Sequence, residues 1–114
     1  MNFTVDKEDG LAIFHLHEER LDSTNSAEAK SEFLILCQSN IEVLIIDLSE
    51  ASFCDSSGLS AILLAERQLR ERDGGIIVVD VLGKVRSLFE IAKLTDIIPL
   101  VGSVEEARGL IVDD

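Results

Sequence analysis

The 114-residue sequence is short of cations, cysteine and proline, and it has no long apolar run. Ten Lys and Arg stand against 22 Asp and Glu, giving a formal net charge of −12. Nucleic acid and anionic membrane are polyanions and are repelled by a field of that sign, so neither is expected as a partner. The charge favours a partner with a basic or mixed surface, or serves solubility alone. No apolar stretch approaches the roughly 18 residues that cross a bilayer, so membrane insertion is not expected. Residues Met1 to Glu8 carry charge and no apolar run, which does not read as a signal peptide. Cytoplasmic residence is the resulting expectation. The two cysteines, Cys37 and Cys54, are too far apart for a CxxC motif, and no His/Cys cluster accompanies them. Buried reduced thiols are expected rather than a disulfide framework. There is no Walker A and no Gly-x-Gly-x-x-Gly sequence, so no nucleotide and no cofactor is expected.

What is present is ample core: 46% of residues are hydrophobic and 28% are charged, the balance of one folded domain. Phe3 to Lys7 and Leu11 to His17 read as a hairpin around Asp9-Gly10, where glycine supplies positive φ. Leu21 to Ser26 is turn-rich. Asn25 with Glu28 three residues on has capping-box spacing, and Ala29, Phe33, Leu36 and Cys37 predict a helix over 26–38. The run Val43 to Leu48 predicts a strand buried on both faces. Ser49 to Ser56 reads as a loop. A helix follows from near Ser57 to about Arg72, with Leu59, Ile62, Leu63 and Leu69 inward and Glu66, Arg67, Arg70 and Glu71 outward. Asp73-Gly74-Gly75 ends it through a left-handed glycine.

Ile76 to Val81 predicts another buried strand. Lys84 to Leu94 predicts a helix with Val85, Leu88, Phe89 and Ala92 on one face. Ile97 to Val101 predicts an edge strand holding Pro99. Ser103-Val104-Glu105-Glu106 is a capping box opening a last helix through Leu110 or Ile111. The order β-β-α-β-α-β-α-β-α implies an α/β fold with a mixed, mostly parallel sheet and about four helices.

Parallel sheets place their sites where strand C-termini meet helix N-termini. Here that edge collects Asp22 to Asn25, Ser49 to Ser57, Leu82 to Lys84 and Gly102-Ser103. Its most distinctive element is Phe53-Cys54-Asp55-Ser56-Ser57-Gly58-Leu59. A serine at a helix N-terminus lies beside unpaired N–H groups, where a phosphate is locally tolerated. Gly58 is expected to keep the first turn open to another chain. The plain alternative is that Asp55, Ser56 or Ser57 caps the helix.

Strand, loop, Asp-Ser-Ser-Gly-Leu and an apolar-striped helix ending in Gly-Gly resemble the STAS domain, and more narrowly the stand-alone anti-sigma factor antagonists. The resemblance covers residues 1–114 as a single STAS-like domain, including the opening hairpin and the Leu21-Asp22 pair. It implies that Ser56 is the phosphoacceptor of a GHKL-type serine kinase that is also an anti-sigma factor, with a PP2C-type phosphatase reversing the step. It implies a partner-binding face of Asp22, Asp55, Ser56, Ser57 and Gly58. One departure concerns the turn Glu18-Glu19-Arg20-Leu21-Asp22, which lacks the glycine common before that aspartate.

Catalysis is not expected. His15 and His17 share a strand face without a third metal ligand nearby in sequence, and there is no Gly-x-Ser-x-Gly elbow. Asp47 lies within a strand and does not complete a receiver-type acidic cluster. The competing reading is a constitutive STAS scaffold subunit of a lipid-transport or stress-signalling complex. An exposed strand edge also permits a homodimer.

Overall fold

The computed structural model describes residues 1–111. The elements run β1 (Phe3–Glu8), β2 (Gly10–Leu16), β3 (Arg20–Leu21), α1 (Ser26–Gln38), β4 (Ile41–Asp47), β5 (Phe53–Cys54), α2 (Ser56–Arg70), β6 (Gly75–Val79), α3 (Gly83–Ile91), β7 (Leu100–Val101) and α4 (Val104–Ile111). A five-stranded sheet has the order β1-β2-β4-β6-β7, and β3 and β5 form a separate two-stranded ribbon. β1 pairs antiparallel with β2, while β2–β4, β4–β6 and β6–β7 are parallel. This is the mixed, mostly parallel sheet that the alternating sequence pattern implies.

The two-residue periodicity of strands sorts the core into layers. Ala12, Phe14 and Leu16 of β2, Leu44 and Ile46 of β4, and Ile76 and Val78 of β6 face α1, α2 and α3 in the larger core. Leu11, Ile13, Ile45, Ile77 and Val79 face the other way, toward Ala107 of α4. Phe14 anchors the larger layer, stacked on Phe3 at 5.0 Å and meeting Phe33 edge-on at 4.9 Å. Each such fully buried side chain contributes about 1.5–3 kcal/mol of transfer free energy. Leu44, Ile45 and Ile46 of β4 are buried, as the apolar run Val43 to Leu48, interrupted only at Asp47, requires.

Several local expectations are corrected. The Asn25 side chain does not cap α1: its Oδ1 accepts from the Asp22 N–H at 2.9 Å and its Nδ2 donates to the Arg20 carbonyl at 2.8 Å. The loop before it competes successfully for the same amide. Glu66 is buried, at 5% exposure, and among the described residues Arg70 alone forms an ion pair with it, at 3.5 Å. Leu63 is half-buried rather than inside. The left-handed residue after α2 is Asp73, at φ 61°, and not a glycine. Gly74 is required for room instead, since a Cβ there would lie 2.0 Å from the Glu42 carbonyl oxygen. α3 stops at Ile91, which leaves Ala92 exposed. Pro99 shortens the last strand to two residues, although its carbonyl still accepts from the Val78 N–H at 3.0 Å. The last capping box holds in modified form: Ser103 Oγ accepts from the Glu106 N–H, and Glu106 reaches back to the Gly102 N–H.

Candidate functional site

The segments expected at the C-terminal sheet edge are tied together by the ribbon the sequence did not reveal. Arg20 pairs with Phe53 and Leu21 with Cys54. The Ser52 N–H donates to the Glu19 carbonyl at 2.8 Å, and the Asp55 N–H to the Leu21 carbonyl at 3.2 Å. Ser49 to Ser56 is therefore not a free loop. It is fastened to the Asp22 turn immediately before α2 begins.

α2 starts at Ser56, one residue earlier than expected, and Asp55 is its N-cap. The Asp55 Oδ1 accepts from the Gly58 N–H at 3.1 Å, which satisfies one of the four donors a helix start leaves open. That assigns the capping role to Asp55 and leaves both serines free of it. Ser56 is exposed, and its hydroxyl has no hydrogen-bond partner among the described residues. Ser57 is half-buried and, with Ser60, Ser26, Ala27 and Lys30, lines a 330 Å³ groove between the starts of α1 and α2.

Gly58 has a different role from the one expected. It is buried, and a Cβ there would lie 2.5 Å from the Leu21 carbonyl oxygen and 3.0 Å from the Cys54 Sγ. The close approach it permits is to its own chain: it lets α2 seat against the ribbon. Cys54 lies beneath this contact, its thiol pushed up to about 12 by burial and by the neighbouring Asp55 and Asp22 charges. Cys37 is likewise buried, free and shifted upward by burial. Neither thiol is a nucleophile at neutral pH.

Asp22 stands beside the motif and is 7% exposed. Its carboxylate accepts from the Thr24 hydroxyl at 2.6 Å, from Arg20 Nε at 2.9 Å and from the Thr24 N–H at 3.0 Å. The Thr24 hydroxyl first, then Arg20 and the Thr24 backbone, hold its pKa down at about 2. The backbone of this turn does not need the missing glycine's positive φ. Among the described residues, positive φ outside glycine occurs only at Asp73, Asp80 and Lys93, so nothing between Glu18 and Asp22 needs it. Arg20 lies with its guanidinium 4.1 Å above the Phe53 ring. Neither this contact nor the ribbon could be read from sequence, because two-residue strands carry no periodicity.

Two of the expected edge segments meet nearby. Ser49 to Ser52 and Leu82 to Lys84 line a 270 Å³ groove. A larger groove of 450 Å³ lies at the opposite end of the sheet, beside Glu42, Gly75 and Leu110, and contains none of the motif residues. His15 and His17 do share a face, their rings 6.3 Å apart. His15 reaches Asp47 at 2.8 Å and Asp6 at 3.2 Å, and His17 reaches Glu50 at 2.6 Å. Burial pushes the Asp47 carboxyl up, but hydrogen bonds from Ser49 and His15 outweigh it and lower its pKa. Among the described residues no group of three His, Cys, Asp or Glu could hold a metal ion. None of their helices is long and apolar enough to cross a membrane.

Comparison with known proteins adds to this geometry. The family model described as the STAS domain matches residues 2–107. A candidate anti-sigma factor antagonist of Bordetella bronchiseptica, BtrV, is 30% identical over 109 residues, which is 96% of this chain and 93% of that protein. The anti-sigma-B factor antagonist of Listeria monocytogenes is 37% identical over 67 residues, 59% of each chain. The solved structures include the Bacillus protein SpoIIAA in two forms. The unphosphorylated form matches with TM-score 0.82 at 21% identity, over 99% of this chain and 100% of that one. The phosphorylated form matches with TM-score 0.77 at 20% identity, over 97% and 100%. At these identities the structural likeness speaks to the fold.

Proposed function

The chain belongs to the STAS domain family, and on that premise we propose that it is an anti-sigma factor antagonist switched by phosphorylation of Ser56. Unphosphorylated, it docks the face around Asp22, Asp55, Ser56 and Ser57 on a GHKL-type serine kinase that doubles as an anti-sigma factor. Phosphorylated, it is released, and a PP2C-type phosphatase resets it. The chemistry belongs to those partners, in the cytoplasm, and this chain contributes binding.

The observation that carries the reading is the state of Ser56. It is exposed at the first position of α2, and Asp55 relieves it of the capping role. A hydroxyl so placed is accessible to a kinase. A phosphate added there sits at the positive end of the helix and leaves the fold intact. In a protein interface the same dianion has to be desolvated, which costs several kcal/mol if it is unpaired. Each ~1.4 kcal/mol is tenfold in affinity, so a modest mismatch suffices to break the complex without refolding the domain. The names of the Bordetella and Listeria relatives, and the existence of SpoIIAA in phosphorylated and unphosphorylated forms, support the same reading.

Phosphopeptide mass spectrometry on the protein recovered from its native cells, with Ser56→Ala as control, tests it. Phosphate on Ser56 that vanishes in the control is expected. Absence of phosphate under every growth condition, with the protein held in a stable complex, would instead make it a constitutive scaffold subunit.

A further inference from the structure

The aspartate expected on the partner-binding face has its carboxylate turned into its own chain. Asp22 is 7% exposed, and Thr24 and Arg20 occupy its oxygens. What stands above it is Arg20, whose side chain is 58% exposed. The guanidinium is held from two directions: Asp22 takes Nε at 2.9 Å, and the guanidinium carbon lies 4.1 Å from the centre of the Phe53 ring. A guanidinium has five N–H donors in a rigid fork, and Asp22 takes one. The Nη groups have no acceptor among the described residues. Residue 20 and the start of α2 form one rigid piece, since Arg20 pairs with Phe53 and the Asp55 N–H donates to the Leu21 carbonyl at 3.2 Å.

We propose that Arg20 is the residue of this surface that reads the partner, through a bidentate contact with a partner carboxylate, and that Asp22 is its positioning residue. The inference rests on the reading of the Ser56 face as a docking surface and names the chemistry opposite it. A carboxylate matches the fork in geometry and charge. The side chain is already held by Phe53 and Asp22, so little rotamer freedom is lost on docking. In a chain of net charge −12, a fixed exposed cation also sets register. The acidic surface draws in basic partners generally, and only one with an acidic group at the right place satisfies Arg20.

The test uses the full chain, shown by intact mass to be unphosphorylated, and the ADP-loaded GHKL-type kinase that phosphorylates Ser56 as the probe. Calorimetry should show Arg20→Ala binding about tenfold more weakly, and Arg20→Glu more weakly still, with both variants still folding cooperatively. Arg20→Lys keeps the charge and stem but loses the fork, and should recover only part. Reversing one partner Asp or Glu to Lys should restore Arg20→Glu. Asp22→Asn should weaken binding less, and should add nothing to Arg20→Ala in the double variant. Wild-type affinity in both Arg20→Ala and Arg20→Glu, failure of every partner reversal, or full additivity of Asp22→Asn would each overturn the assignment. If the wild-type chain does not bind the kinase at all, the docking reading fails and this inference falls with it.

Discussion

Two acidic turns lie side by side at the C-terminal edge of the sheet, and they are built for opposite purposes. The turn at Asp22 is saturated: carboxylate, amide and carbonyl all have partners within the next few residues, and the side chain is buried. The turn at Asp55 is economical, with one carboxylate oxygen on the Gly58 N–H and an exposed serine beside it. The first is a frame and the second presents an exposed hydroxyl. The β3–β5 ribbon joins them, so that the serine is held on paired backbone while its hydroxyl has no hydrogen-bond partner among the described residues. Precision and availability thus come from different residues.

The largest perturbation should come from the seam between the turns. Gly58→Ala places a Cβ against the Leu21 carbonyl, where backbone has to move. A loss of about 3 kcal/mol in urea unfolding is expected. Unchanged stability with impaired partner binding would mean that Gly58 serves a partner after all, and the contrast between frame and presented group would collapse. Asp55→Ala removes the cap from the open turn and should cost about 1 kcal/mol in the same assay.

The frame has a pH signature. The Asp22 pKa in the fold lies below its ordinary value, so its anion stabilises the native state above the usual carboxylate range. That contribution is lost as pH falls toward about 2. Thermal melts across the acid range should therefore show a smaller pH dependence in Asp22→Asn than in wild type. Identical profiles would remove Asp22 from the frame. The smallest effect belongs to Ser56→Ala, which removes an exposed hydroxyl without a hydrogen-bond partner among the described residues and should stay within about 0.5 kcal/mol of wild type.

Much of this architecture is legible in the sequence because it follows from periodicity. The apolar β4 run, broken only at Asp47, and the β6 run announce strands covered on both sides, and Ala29, Phe33, Leu36 and Cys37 announce the buried stripe of α1. The Asp9-Gly10 turn follows from one positive φ, at Gly10. Ser56 is legible through the Asp-Ser-Ser-Gly resemblance, and Asp55 as one of three candidate caps. Interactions decided by competition are not legible. Asn25 has the letters of a cap, but the neighbouring loop takes its amide. Glu66 falls on the polar stripe of α2 and is nevertheless covered. Gly58 reads as openness and is in fact a contact, because the ribbon opposite it is too short to show in the sequence. The orientation of Asp22 depends on Thr24 and Arg20 closing around it, a three-body arrangement that no spacing rule describes.

The central claim is that Ser56 switches an interface without altering the fold that carries it. Its most direct test is the affinity of the ADP-loaded kinase for the chain before and after stoichiometric phosphorylation of Ser56, with melting curves recorded on both forms. The account predicts at least about a tenfold loss of affinity with closely similar melting curves. Equal affinity of the two forms would contradict it.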